Sequence, residues 1–222
     1  QDNQKWLLES SSKEEFQGRF CVMATGTLSS VNEPKFKGIN DYQGDWYVTG
    51  RWPHNRVDFS GKTVAIIGTG SSAVQAIPVI AKEAKHLTVF QRTANYSIPA
   101  KNRPLIEREV EVVKSTYSEI RAAAKANRAG IASLKAGFDS ALSVSEIART
   151  QEYQKRWDEG GTGFTAAYSD IGTSDEANFT AAEFVRNKIR ETVQNSETAE
   201  LLAPTNTIGC KRLCADTDYY ET

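Results

Sequence analysis

The stretch that most constrains this chain is VAIIGTGSSAVQAI, residues 64–77. The run KTVAIIG (62–68) is β-branched and almost continuously apolar. That pattern predicts a buried strand of a parallel sheet, which is covered on both faces and need not alternate. The run enters a glycine-spaced turn. From Ser71 to about Lys85, the apolar positions Val74, Ile77, Val79, Ile80 and Ala84 suit a helix lying on that sheet. Pro78 falls inside the pattern and should kink it. HLTVFQ (86–91) reads as a second buried strand. Strand, turn, helix and strand within about thirty residues make a βαβ unit, and so an α/β fold of Rossmann-like topology.

The turn itself is Gly68-Thr69-Gly70-Ser71-Ser72-Ala73, a G-x-G-x-x-A pattern. In a dinucleotide site the first Gly permits the tight turn and the second removes a side chain where backbone meets pyrophosphate. The small third residue lets helix and strand pack closely. The helix N-terminus then offers free N–H groups to a phosphate. The alternative is a glycine turn used for packing alone. The predicted strand before it and helix after it favour the dinucleotide, with Gln75 in the first turns orienting the turn or the ligand. At the end of the second strand an NAD site carries an Asp or Glu for the ribose 2′-hydroxyl. VFQRT (89–93) has none and carries Arg92 and Thr93 instead, a cation and a hydroxyl suited to a 2′-phosphate. NADP(H) is therefore expected over NAD, against the reading of Arg92 as a solvated surface charge.

FCVMATGTLS (20–29) reads as another buried strand with a tight turn. Residues 30–62, rich in Pro, Gly, Asp and Trp, read as a linker. From Leu105 the period becomes helical. LIEREVEVVKSTYSEIRAAAKANR reads as one long helix, followed by helices near 143–158, 179–194 and 196–202. Ser143 with Glu146, and Thr180 with Glu183, fit capping boxes at the first two of these starts. A large helical insertion of about 104–204 results. Charge is balanced, 27 Lys+Arg against 28 Asp+Glu, which argues against a nucleic-acid partner. No apolar run approaches the roughly 20 residues of a membrane span. The three cysteines, Cys21, Cys210 and Cys214, suit a reducing, cytoplasmic setting, and Cys210 and Cys214 read as ordinary thiols rather than a metal site. The chain starts at Gln1 with its single Met at position 23, and so reads as a piece of a longer protein.

YQGDWYVTGRWPH (42–54) resembles the fingerprint F-x-G-x-x-x-H-x-x-x-W-P of the type I Baeyer–Villiger monooxygenases. Gly44, Trp52 and Pro53 match, Tyr42 stands in place of Phe, and Val48 in place of His. ATG (24–26), GTGSSAVQ (68–75), VFQRT (89–93) and KRLCADTDYYET (211–222) are similar to that family too. The resemblance implies an FAD- and NADPH-dependent enzyme that inserts oxygen from O2 next to the carbonyl of a small-molecule ketone, giving an ester or lactone. It implies that 1–29 is the tail of a FAD-binding domain and that 30–62 is the linker carrying the fingerprint. Residues 63–205 would be the NADP-binding domain with its insertion, and 206–222 the return to the FAD domain. No flavin glycine fingerprint precedes residue 68, so the isolated chain is expected to be inactive. Arg212 would be the fixed cation beside the anionic oxygen nucleophile, and Lys211 would reach toward the NADP phosphate. The alternative for both is a plain loop charge. Trp52-Pro53 favours ketone oxygenation over related N- or S-oxygenating flavin monooxygenases. Val48, which cannot replace the hydrogen bonds of an imidazole, leaves open a non-catalytic NADP-binding module.

Overall fold

A computed structural model describes residues 4–222 and divides the chain into two units, Gln1–Arg56 and Val57–Thr222. In the first, strands β1 (Trp6–Glu9) and β2 (Glu15–Gly18) pair antiparallel, from Trp6 opposite Gly18 to Glu9 opposite Glu15. Lys13 closes the hairpin at φ 67°, its N–H donating to Ser10 O at 3.0 Å. The strand expected over 20–29 is not formed. Phe20, Val22, Met23 and Leu28 are 82%, 85%, 76% and 86% exposed. A buried strand exists only where neighbours bond and cover it, and no described strand pairs with this one. Residues 30–56 carry two single 3₁₀ turns, Ile39–Asp41 and Thr49–Arg51, in keeping with their aperiodic sequence.

The second unit holds the βαβ unit. Strand β3 (Thr63–Ile67), helix α1 (Ser71–Ala81) and strand β4 (His86–Phe90) follow in order, and β3 pairs parallel with β4 from Thr63–His86 to Ile67–Phe90. Ile66 and Leu87 pack toward the core that contains Val74 and Ile77 of α1. Ile67 and Phe90, by contrast, are exposed. Both strands were expected to be buried. One face of the pair, carrying Ile66 and Leu87, packs against the core, while the face that carries the paired Ile67 and Phe90 is left uncovered by the described residues. Helix α1 runs through Pro78, which is buried, and ends at Ala81, four residues short of Lys85.

A second parallel pair, not foreseen from the sequence, joins β5 (Ser97–Pro99) to β6 (Cys214–Asp216), with Ser97 opposite Cys214. At three residues each, these strands are too short to show an alternation. Between them lie α2 (Glu107–Ser115), α3 (Tyr117–Ala126), α4 (Glu146–Glu159), α5 (Asp175–Thr192) and α6 (Ser196–Leu202). The single helix expected from Leu105 breaks at Thr116 (φ −108°, ψ 16°). There Ser115 and Thr116 both turn their hydroxyls back to Val112 O, at 3.0 and 2.8 Å, and this competes with helical bonding. Neither expected capping box forms. Ser145 caps α4 by accepting from Ala148 N, while the Ser143 hydroxyl donates to Ser140 O. Ser174 caps α5, and Thr180 lies inside it, its hydroxyl 2.8 Å from that of Tyr153 and donating to Ala177 O. Helix α6 stands where the sequence puts it, capped by Asn195.

The helices close over β5 and β6 through one apolar core containing Tyr96, Ile98, Tyr153, Phe164, Val185, Ile189 and Cys214. The Tyr153 ring lies 5.4–5.6 Å from those of Phe164, Tyr168 and Phe184. Asn178 ties α5 to the returning segment: its amide donates to Ile171 O and Ile208 O, and its oxygen accepts Ile208 N. All its strong groups are thus satisfied in a buried setting.

Candidate nucleotide site

The turn between β3 and α1 forms because Gly68 takes φ +102°, a conformation that other residues rarely adopt. Its N–H donates to Phe90 O at 2.8 Å, which fixes the turn to the end of β4. Gly70 is different. Its backbone (φ −81°, ψ 178°) suits any residue, and a Cβ added to it would meet nothing within 4 Å. Neither backbone strain nor packing inside the chain calls for glycine there. The open space lies at the N-terminus of α1, where no side chain caps the helix and the first N–H groups have no helical partner. That is the fit a pyrophosphate needs, with backbone approach at Gly70 and donors and positive potential beyond it. Ser71 and Ser72 are exposed beside it, and Ala73 packs against the core.

Thr69 is 6% exposed and spends its hydroxyl inward, donating to Gln91 Oε1 at 3.1 Å with Thr93 O at 3.5 Å. The side chains of Arg92 and Thr93, just past β4, are exposed. No carboxylate lies within ion-pair distance of Arg92 among the described residues, and the same holds for Lys211 and Arg212 ahead of β6. The structure brings Cys214 and Ala215 of β6 to the first turns of α1. Ser71 Oγ donates to Cys214 Sγ and Gln75 Nε2 to Ala215 O, both at 3.5 Å. Asn95 Nδ2 donates to Cys214 Sγ at 3.1 Å and to Arg212 O at 3.4 Å, while Asn95 Oδ1 is buried without a partner. Gln91 and Asn95 were not singled out from the sequence. Both flank the Arg92-Thr93 pair, and that adjacency was the available signal. Past β6, Tyr219 and Tyr220 are buried, and burial pushes the Tyr219 phenol up to about 12.

The fingerprint residues belong to the other unit. The Tyr42 ring lies where a Cβ on Gly44 would be, 2.6 Å from the phenol oxygen, so a side chain at 44 would displace it. The Tyr47 and Trp52 rings lie 5.6 Å apart and tilted to each other, half-buried Val48 precedes the Thr49–Arg51 turn, and Arg51 pairs with Glu33. Pro53 is half-buried. Among the described residues, no group of three or more His, Cys, Asp or Glu could hold a metal ion, and no helix is long and apolar enough to cross a membrane.

Comparison with known proteins gives a consistent result. The sequence profile of the family described as "Pyridine nucleotide-disulphide oxidoreductase" matches residues 2–200. A cyclohexanone 1,2-monooxygenase of Acinetobacter sp. is 40% identical over 220 residues, 98% of this chain and 40% of that protein. A phenazine N-monooxygenase of Lysobacter antibioticus is 39% identical over 220 residues, again 98% of this chain and 40% of that protein. The solved structure of an oxidized steroid monooxygenase bound to NADP superposes with a TM-score of 0.92 at 43% identity, covering 99% of this chain and 42% of that one. The chain thus spans about two fifths of the length of the curated relatives it matches. The resemblance to Baeyer–Villiger monooxygenases read from the sequence is borne out by relatives named for that activity and for ketone oxygenation.

Proposed function

The chain belongs to the pyridine nucleotide-disulphide oxidoreductase family, and from that premise we propose that it is the NADPH-binding part of a flavin-dependent monooxygenase that inserts oxygen beside a ketone carbonyl. The observation that carries the reading is the glycine turn: the space left at Gly70 serves no need of the chain itself. A solved relative with 43% identity is bound to NADP. Gly68, Thr69, Gly70, Ser71 and Ser72 would cradle the pyrophosphate through their backbone, with Gln75 holding α1 against β6. Arg92 and Thr93 would take the 2′-phosphate, and Lys211 would approach the same coenzyme. When bound, NADPH supplies a hydride. This chain's part is to bind it, orient it and set the charge around it.

Arg212 is the proposed catalytic cation. Its guanidinium stays charged at every working pH and gives up no proton, so it stabilises negative charge without quenching it. FAD, the remaining flavin domain and O2 are the partners of the whole protein in this reading. The division at 1–29, 30–62, 63–205 and 206–222 and a cytoplasmic setting belong to the same proposal. A specific observation favours a second reading, N-oxygenation: a phenazine N-monooxygenase is as similar as the ketone enzymes. Against it stands Trp52-Pro53 at the end of the fingerprint. Product analysis decides between them. The whole protein, given NADPH, O2 and a cyclic ketone or a phenazine, is expected to form the lactone. N-oxide without lactone supports the second reading. Coenzyme binding with no turnover on either substrate supports a non-catalytic module, for which Val48 is the structural argument.

A further inference from the structure

We propose that Gln91 is a positioning residue that couples the coenzyme-selecting loop to the end of the helical insertion, so that coenzyme binding orders α6 and the segment after it. The inference rests on the reading of Arg92 and Thr93 as the 2′-phosphate contacts. Gln91 follows β4 directly and immediately precedes them. Its amide faces two ways. Oε1 accepts the hydroxyl of Thr69 inside the glycine turn at 3.1 Å, and Nε2 donates to Leu201 O at 2.8 Å. The orientation is determined, because the flipped amide would set its oxygen against the Leu201 carbonyl oxygen, with no proton between them. Leu201 lies in the last turn of α6, where carbonyls have no partner within the helix. Gln91 therefore supplies a donor that the helix end lacks, while it also holds the second residue of the turn.

The other end of the same loop is gripped by the same segment. The Tyr96 hydroxyl lies 2.7 Å from Asn206 O and 3.2 Å from Pro204 O, and Arg186 of α5 donates to it at 3.0 Å and to Pro204 O at 3.2 Å. Helix α6 is joined to α5 by Arg190 and Glu200, 2.7 Å apart. Residues 91–96, which contain Arg92 and Thr93, are thus held at both ends by 201–206. Gln91 touches the turn and the insertion at once. A ligand that closes on Gly68–Ser72 and Arg92 must stabilise the Thr69–Gln91–Leu201 chain, and by linkage a well-docked α6 must strengthen coenzyme binding.

Hydrogen exchange with and without NADP+, read together with NADP+ and NAD+ affinities, tests the coupling on the protein and on Gln91→Met and Thr69→Val. Gln91→Met removes both bonds. Thr69→Val leaves the Gln91–Leu201 bond intact, so a folding failure in the first variant does not end the test. In the unmutated protein, NADP+ is expected to slow exchange at 68–73 and also at 196–206. In both variants, protection remains at 68–73 and disappears at 196–206. NADP+ affinity falls about tenfold, and NAD+ affinity falls less. A purely structural role would lower both affinities equally and overturn the proposal. Protection at 68–73 without any change at 196–206 in the unmutated protein overturns the coupling and leaves the coenzyme reading standing. No saturable NADP+ binding and no protection at 68–73 overturns both.

Discussion

Arg156 on α4 and Arg186 and Arg190 on α5 have their donors committed. Arg156 bonds Glu152 and Lys135 O, Arg186 bonds Glu183, the Tyr96 hydroxyl and Pro204 O, and Arg190 bonds Glu183, Glu200 and Asn187. By contrast, Arg92 just past β4 and Lys211 and Arg212 ahead of β6 are exposed and face no carboxylate among the described residues. Composition cannot separate the two groups, since the whole chain is close to neutral. Position does. A guanidinium whose donors are satisfied by its own helix and neighbours holds the fold. One whose fork is uncommitted has geometry and charge left for a phosphate or a developing anion.

The comparison breaks most readily at Arg212. In the whole protein, Arg212→Ala is expected to keep NADPH consumption but to lower oxygenated product by about 10²–10³, the usual effect of removing one electrostatic group aimed at developing charge. Reducing equivalents should then leave as hydrogen peroxide. A product assay beside a coenzyme assay reads both, and unchanged product yield would return Arg212 to the class of loop charges. The committed class is probed by Arg156→Met. Its side chain is 11% exposed, and losing its bonds to Glu152 and Lys135 O should cost about 1–3 kcal/mol in denaturant unfolding, with the NADPH to NADH affinity ratio unchanged. A changed ratio would mean that the two groups are not separable.

The smallest expected effect sharpens the comparison through pH. Burial raises the pKa of Glu183, but hydrogen bonds and charge from Arg186 and Arg190 outweigh it and hold the carboxyl below its ordinary value of 4.5. A carboxyl lowered on folding contributes stability that is present above its unfolded pKa and lost as pH falls through the folded one. The protein should therefore lose stability below about pH 4.5, and Glu183→Gln should flatten that part of the curve. Solvent screening keeps the effect modest, because the side chain is 36% exposed. An unflattened curve would show that the α5 arginines are not held through this carboxylate.

Where the local code was sufficient, the fold was legible. The βαβ unit shows in the sequence because the strand runs, the glycine spacing and the apolar period of α1 all lie within residues 62–91. The helix read near 196–202 is α6. Other features were missed for physical reasons. The 20–29 run has the composition of a strand, but pairing is a property of neighbours and not of the run itself. The Ser143 and Thr180 patterns satisfy the capping rule as letters. The helices nevertheless start at Ser145 and Ser174, where the hydroxyls accept the N3 amides. The β5–β6 pair joins segments more than a hundred residues apart, and no local period can announce it. At the site, the glycines and Arg92 were visible as types at a spacing. The inward turn of the Thr69 hydroxyl depends on Gln91 and Thr93 past β4, and the bridging amide of Gln91 also depends on α6, and both are brought to the turn only in three dimensions.

The central claim is that the uncommitted cation past β4 reads the 2′-phosphate. The direct measurement is the dissociation constant of NADPH and of NADH for the protein and for Arg92→Ala. NADPH affinity should fall by about 1.5–3 kcal/mol, the worth of a charged hydrogen bond, which is roughly 10- to 150-fold. NADH affinity should stay within about a factor of two of its starting value. Equal losses for the two coenzymes, or no loss for either, would contradict the account and leave Arg92 as a surface charge.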